Sequence, residues 1–239
     1  MKLLELTLPT VAENLALDEA LLEEAEAESS AGEVLRLWES GQPAVVVGRA
    51  SDVAGEVNLP FCVAHDIPVL RRCSGGASVV IGPGCLMYGV VLSLERRPSL
   101  RAVEQAHRFV LERVAAALAR CGLIVTLSGT SDLALADRKV SGNSLRCKRE
   151  WLLYHGTILY GLSPALIQQC LRTAPRQPAY RRARRHEEFV ATVPESSANL
   201  RAAFRAEWAP DDLLVHWPCA RTQRLVAQRY ARDDWNLRR

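Results

Sequence analysis

A mixed α+β domain, a sheet carrying helices on its faces, is the fold that this sequence predicts. Three observations point to it. Short apolar runs recur along the 239-residue chain, broken by Gly, Pro and Ser in the manner of strands and turns. Two long segments without Gly or Pro, one near the N-terminus and one in the middle, have helical spacing instead. Strands and helices do not alternate one for one, so a mixed sheet fits better than a doubly wound parallel one.

The elements follow in order. Residues 12–31 are rich in Leu, Ala and Glu, and Leu17, Leu21 and Ala25 recur four apart, which predicts an amphipathic helix. Residues 34–38 and 44–47 are apolar runs joined by Glu-Ser-Gly-Gln-Pro and read as a hairpin-like pair. Residues 69–71, 78–81 and 86–94 read as further strands. Ser99 is the expected N-cap of a long helix whose apolar face is Val103, Ala106, Val110, Val114 and Leu118, with Gly122 as its stop. Residues 123–127, 133–136, 140–145 and 152–160 complete the strands. Ser163-Pro164 opens another helix, and two more are expected within 196–208 and 220–231.

Two segments carry chemistry. The first runs from Asp132 to Asn143. An apolar alternation, a tight polar break and a second alternation read as a β-hairpin with Lys139 just past the break. Ser141-Gly142-Asn143 follows, small groups that let a ligand come close to the backbone. A lysine held by such a frame suits a carboxylate meeting a phosphate. A solvated hairpin lysine fits the same residues. The second segment is Arg71-Arg72-Cys73-Ser74-Gly75-Gly76-Ala77, a loop of small side chains behind two arginines, followed by the turn Gly82-Pro83-Gly84. Backbone N–H groups beside arginines can hold an anion. The spacing is neither a P-loop nor a dinucleotide fingerprint.

Together these segments resemble the biotin/lipoate A/B protein ligase family, and within it the lipoate–protein ligase A branch. The matching residues are Arg71-Arg72-x-Ser74-Gly75-Gly76, Asp132-Leu133 with Arg138-Lys139-Val140-Ser141-Gly142, and His155-Gly156-Thr157, in that order. Arg146 falls seven residues after Lys139 and His155 sixteen after it. Fainter echoes are Gly48-Arg49, Glu56-Val57-Asn58 and Trp235-Asn236.

The resemblance implies a mostly antiparallel sheet of the class II aminoacyl-tRNA synthetase and biotin ligase type, and one catalytic domain over 1–239 without a separate C-terminal accessory domain. It implies that ATP with magnesium activates lipoate or octanoate to an acyl-adenylate. The acyl group then passes to a lysine of an apo lipoyl domain or a glycine-cleavage H-type protein. A separate accessory chain is compatible with it. Lys139 is then the catalytic residue. Arg49, Arg71, Arg72, Ser74, Gly75, Gly76, Ala77, Gly84, Asp132, Ser141, Gly142, Asn143, Arg146, His155, Gly156 and Thr157 are the expected substrate and nucleotide contacts. The chain departs from the family in having Ala77 as the third small residue of the loop and Ile81 where many members have a histidine.

A transferase of the same fold would use a cysteine thioester and no ATP. Cys73, Cys85 and Cys147 are its candidates, each equally readable as a small buried filler. A non-catalytic binding subunit on the same scaffold is a further alternative. The tract Tyr180 to His186, with four arginines, reads as a solvated loop, a phosphate site or a strip that steers an acidic lipoyl domain.

Composition sets the outer limits. A net charge of +3 does not argue for nucleic acid. No apolar run reaches a membrane span and no signal peptide is read. Seven cysteines without a framework spacing point to reduced thiols in the cytoplasm. No metal-ligating residue is assigned.

Overall fold

A computed structural model describes residues 1–27, 32–173 and 177–238. The strands are β1 (Lys2–Glu5), β2 (Val34–Glu39), β3 (Ala44–Val47), β4 (Val69–Arg71), β5 (Val79–Ile81), β6 (Cys85–Ser93), β7 (Thr126–Ser128), β8 (Asp132–Leu135), β9 (Arg138–Cys147), β10 (Trp151–Leu159) and β11 (Asp212–Leu213). The α-helices are α1 (Val11–Ala27), α2 (Val53–Glu56), α3 (Leu59–Ala64), α4 (Val103–Arg120), α5 (Pro164–Cys170), α6 (His186–Phe189), α7 (Ser197–Trp208), α8 (Cys219–Leu225) and α9 (Asp233–Asn236).

Eight strands form one sheet in the order β11-β1-β2-β6-β10-β9-β8-β7, and β4-β3-β5 form a small second sheet. Among the named strands β11–β1–β2 and β3–β4 pair in parallel and the other ladders are antiparallel. This is the mixed sheet flanked by helices that the sequence predicts, mostly antiparallel as the resemblance implies.

One face of the large sheet packs under α4 and α7. Tyr88, Val90, Leu152, Tyr154 and Ile158 meet Val110, Val114, Leu118, Leu200 and Phe204 there. The other face meets α1, whose Leu17, Leu21 and Leu22 lie on Val91 and Leu153. α1 is buried over most of its surface, Asn14, Asp18 and Glu19 included, because it is wedged between the large sheet and the small one. The candidate site opens between the two sheets.

Two local expectations, the hairpin and the start of α4, differ from the structure. Residues 34–39 and 44–47 do not form a hairpin. β2 joins the large sheet and β3 the small one, and the Ser40–Pro43 turn carries the chain across. Both strands are buried, so each has a better partner elsewhere. Ser99 does not cap α4. A 3-10 turn spans Pro98–Arg101 and α4 begins at Val103, after Ala102, without a side-chain cap. Val103 is 52% exposed, off the buried face. The last four residues expected in the first helix, 28–31, lie outside the described residues. The stop is as expected: Gly122 has φ +76° just beyond α4.

Candidate active site

The hairpin that presents Lys139 turns through Ala136 and Asp137, whose φ angles are +46° and +67°. Two successive left-handed residues make the mirror-image turn that matches strand twist. The ladder then slips. Leu133 faces Ser141, but Ala134 faces Lys139, so Val140 has no opposite number. In a regular strand residues 139 and 142 point to opposite faces. The bulge puts Lys139 on the same face as Gly142 and Asp132. There Lys139 Nζ lies 2.7 Å from Asp132 Oδ1, and Tyr180 donates to Asp132 Oδ2 at 2.7 Å. A Cβ at Gly142 would come within 2.9 Å of Lys139 Nζ, so glycine makes room for the ammonium.

A cavity of about 360 Å³ lies over this face. Its apolar lining is Leu15, Trp38, Val46, Val79, Ile81 and Met87. Its polar lining includes Arg72, Ser78, Asp132, Lys139, Ser144, His155 and Thr157. Cavities that hold small ligands have this makeup, apolar walls and a few convergent polar groups. The indole Nε1 of Trp38 is buried without an acceptor among the described residues.

The Gly-rich loop is shaped from behind by Arg72. The side chain donates to Val46 O and Ala77 O at 3.0 Å each, to Ser74 Oγ at 3.1 Å, and to Gly75 O. Burial pushes its guanidinium pKa down to about 10, which leaves it a cation at neutral pH. Gly48 lets the loop come close: a Cβ there would sit 1.8 Å from Gly76 O.

A charged chain runs beneath the cavity. Arg36, Gly89, His155 and Ser144 form one row across β2, β6, β10 and β9. Asp18 of α1 lies above Gly89 and reaches both sides, 2.5 Å from Arg36 Nη1 and 3.1 Å from His155 Nδ1. Burial alone pushes the Asp18 carboxyl up, but Arg36 and His155 hold it below the usual carboxylate value. An ionised Asp18 accepts a hydrogen bond from Nδ1, and on the other side of the ring Nε2 lies 2.5 Å from Ser74 Oγ. The order is that of a Ser–His–Asp triad. The role differs, because Ser74 is 1% exposed and Arg72 donates into its oxygen. The chain locks the His155 ring and ties it to the loop.

The other expected residues divide in two. Gly76, Ala77, Gly142, Asn143 and Gly156 line the cavity. Asn143 is held by Tyr88, Ser141 and Ser131. Gly75 joins through its carbonyl, which takes Ser144 Oγ at 2.9 Å. Ser141 is buried behind Asn143, and Arg146 reaches Cys73 O at 3.3 Å outside the cavity. Arg71 turns away. It binds the carbonyls of Gly48, Ser51 and Trp235, and its own backbone N–H donates to Asn236 Oδ1. It therefore pins the C-terminal segment. Arg49 is exposed, and Gly84, at φ +84°, makes a tight turn against Gly161.

Among the described residues no cysteine lines the cavity. Cys73 and Cys85 are buried, and burial pushes both thiols far up, away from the thiolate. Cys147 is exposed at the end of β9. The described residues include no group of three His, Cys, Asp or Glu side chains that could hold a metal ion, and no helix long and apolar enough to cross a membrane.

The sequence reading missed Asp18 and Arg36. Each had a signal, a charged residue set inside an apolar stretch, but one strand and one helix had to meet before the pair had meaning. It also missed Trp38, Met87 and Tyr180. The arginine tract is not a plain solvated loop: Arg181 is buried, Arg184 pairs with Asp137 at 3.2 Å, and Arg182 and Arg185 face outward.

Comparison with known proteins fits this geometry. The model of the lipoyl protein ligase A/B catalytic domain matches residues 10–213. An Aeropyrum pernix protein named for lipoate–protein ligase A is 33% identical over 156 residues, 65% of this chain and 56% of that one. The octanoyltransferase LipM of Symbiobacterium thermophilum is 28% identical, with 95% of this chain and 94% of that one covered. The chain spans about half the length of the first curated lipoate ligases it matches. The fold is shared with a bi-partite lipoate protein ligase from Thermoplasma acidophilum, at TM-score 0.83 and 20% identity over 99% of this chain and 95% of that one. It is shared equally with a lipoate–protein ligase A bound with ATP, at TM-score 0.82 and 20% identity over 99% and 98% of the two chains. The chain belongs to the lipoyl protein ligase A/B catalytic-domain family.

Proposed function

We propose that this protein activates lipoate, or octanoate, with ATP and transfers the acyl group to a lysine of an apo lipoyl domain. The observation that carries the reading is the cavity itself: a chamber walled by Trp38, Val46, Ile81 and Met87 together with Lys139, with no cysteine on its wall among the described residues. Similar folds with bound lipoic acid and with bound ATP support both substrates.

The acyl chain lies along Trp38, Val46, Ile81 and Met87, and its carboxylate reaches Lys139. A carboxylate oxygen attacks the α-phosphorus and pyrophosphate leaves. Lys139 holds positive charge where the carboxylate and α-phosphate meet, and it leaves Asp132 to do so. Partial burial of Lys139 strengthens its charge there relative to bulk water. The acceptor amine then attacks the acyl carbonyl and AMP departs. His155 and the Gly75–Gly76 backbone keep the mixed anhydride in place. Magnesium would take most of its ligands from phosphate and water; Asp132, once Lys139 turns to the anion, is the carboxylate that would hold it, and the ion would screen the phosphate charge.

A cysteine-based octanoyl transfer is the second reading, favoured by the full-length match to LipM. The buried, protonated Cys73 and Cys85 speak against it. A bi-partite relative supports the further proposal that an accessory chain completes the activity.

The test mixes the protein with an apo lipoyl domain and either lipoate plus ATP or octanoyl carrier protein alone, and weighs the acceptor. A mass gain only with ATP is expected. A gain only from the carrier protein overturns the ligase reading, and no gain in either arm points to a binding subunit or to a missing accessory chain.

A further inference from the structure

β4 is an outer strand of the small sheet, with β3 on its inner side. An edge strand leaves backbone groups without a ladder partner. At Arg71 two side chains from far along the chain take those groups. The Arg71 N–H donates to Asn236 Oδ1 at 3.0 Å, and the indole Nε1 of Trp235 donates to Arg71 O at 2.9 Å. For one residue they stand in for a neighbouring strand. The Arg71 side chain is fully buried, and its guanidinium ties two stretches of backbone together. Trp235 O and Arg238 O accept on one side. Gly48 O, Arg49 O and Ser51 O accept on the other. A charged donor makes each of these bonds stronger than a neutral one would.

The segment that brings Trp235 and Asn236 is itself anchored. Asn236 is 4% exposed, and its Nδ2 donates to Tyr230 O at 3.0 Å. A single π turn spans Val226–Tyr230, closed by the Ala231 N–H on Val226 O at 2.9 Å. Such turns are rare and gather at functional sites. From it Tyr230 donates to Glu19 Oε2 at 2.8 Å, and Arg229 Nη1 lies 2.5 Å from Glu19 Oε1. Glu19 follows Asp18 on α1. One helix therefore carries both the carboxylate under His155 and the anchor of this segment.

The connection runs forward to the cavity. Arg71 holds the 48–51 turn, whose Arg49 N–H donates to Ser74 O at 2.8 Å and whose Ser51 Oγ donates to Gly76 O at 3.1 Å. Gly76 and Arg72 line the cavity, whereas Arg71, Trp235 and Asn236 lie behind it. We propose that Trp235 and Asn236 are positioning residues: by closing the edge of β4 at Arg71 they hold the Ser74–Gly76 backbone against the reacting groups, an inference that rests on the adenylating reading above. Without them the loop drifts while the acyl-chain walls, Trp38 and Met87, stay in place. A displacement of about 1 Å at a reacting centre costs about a hundredfold in rate.

The test compares wild type with Asn236→Ala, Asn236→Asp and Trp235→Phe in two assays. The first is amide hydrogen exchange of the free protein, read on peptides covering 45–52, 70–77 and 103–120. The Arg49 and Arg72 N–H groups are bonded to Ser74 O and Val47 O. Asn236→Ala is expected to speed their exchange roughly tenfold, the worth of a hydrogen bond or two, and to leave α4 unchanged. The second assay measures acyl-adenylate formed from lipoate and ATP. In Asn236→Ala kcat falls roughly tenfold to a hundredfold, while KM for lipoate stays within about threefold. Asn236→Asp keeps an oxygen for the Arg71 N–H and recovers part of both effects. Trp235→Phe keeps a ring and loses the indole N–H, and it decides should the Asn236 variants fail to fold. Exchange unchanged at 45–52 and 70–77, or equally faster in α4, overturns the proposal, as does a wild-type kcat or a loss confined to KM. A wild type that forms no acyl-adenylate sinks the ligase reading, and the exchange assay then decides the positioning role by itself.

Discussion

Replacing Asp18 with Asn tests the charged chain under the cavity. Asp18 and Arg36 are 3% and 1% exposed, and their charged atoms are 2.5 Å apart. In the Asp18→Asn variant the guanidinium stays buried against neutral acceptors, the Asn14 and Leu6 carbonyls and Asn14 Oδ1. Stranding one partner of a buried pair costs about 3–5 kcal/mol. For a chain of this size each kcal/mol lowers the melting midpoint by about 2–4 °C, so a drop of roughly 6–20 °C is expected. The double variant Asp18→Leu with Arg36→Met removes both charges and is expected to be more stable than Asp18→Asn alone. Urea unfolding of the three proteins, followed by tryptophan fluorescence, reads the comparison. A loss under about 1 kcal/mol in the single variant, or a double variant weaker than the single, refutes the claim that the pair is desolvated and mutually dependent.

Four further outcomes are expected. Lys139→Ala lowers the rate of acyl transfer about a hundredfold to a thousandfold, measured by acceptor mass at saturating substrate; wild-type rates in that variant remove Lys139 from the mechanism. Gly48→Ala, whose new Cβ meets the Gly76 carbonyl at 1.8 Å, costs about 1–3 kcal/mol, while Gly75→Ala, with nothing within 4 Å, leaves the unfolding midpoint near wild type. Stability falls on acidification in two windows. Burial lowers the His107 and His186 pKa values below 6.5, so the unfolded chain takes up protons first and stability drains as pH falls below that value. Asp18, held below 3.8, adds a second loss under that pH; urea midpoints that stay flat from about pH 8 to about pH 5 contradict the histidine part. The combined variant Cys73→Ser, Cys85→Ser, Cys147→Ser keeps ATP-dependent transfer within about threefold, and its abolition restores the thioester route.

Much of the fold was legible because local pattern and tertiary context agree. Residues 12–27, 103–120 and 197–208 announce helices by spacing, and the run from Trp151 to Leu159 is a strand on any reading. Ser163-Pro164 opens α5 as expected, with Ser163 Oγ accepting from Leu166 N. The 34–47 segment shows the opposite case. Two adjacent apolar runs look like a hairpin, but both are buried strands, and each gains more from a longer ladder in its own sheet than from pairing with the other.

By itself the sequence determined which residues could do chemistry here: one lysine beside a turn, a loop of small side chains behind two arginines, and a His-Gly-Thr strand, in an order that resembles one family. It could not decide which arginine faces the ligand, since neighbouring residues on a strand point opposite ways: Arg72 turns to the loop and Arg71 to the C-terminal segment. Nor could it place Lys139, whose face depends on one unpaired residue, Val140, in the ladder. Asp18 and Arg36 acquired a role only when α1 settled across β2 and β10, because a buried charge has meaning only with its partner. Such partners, far apart in the chain, are chosen by packing.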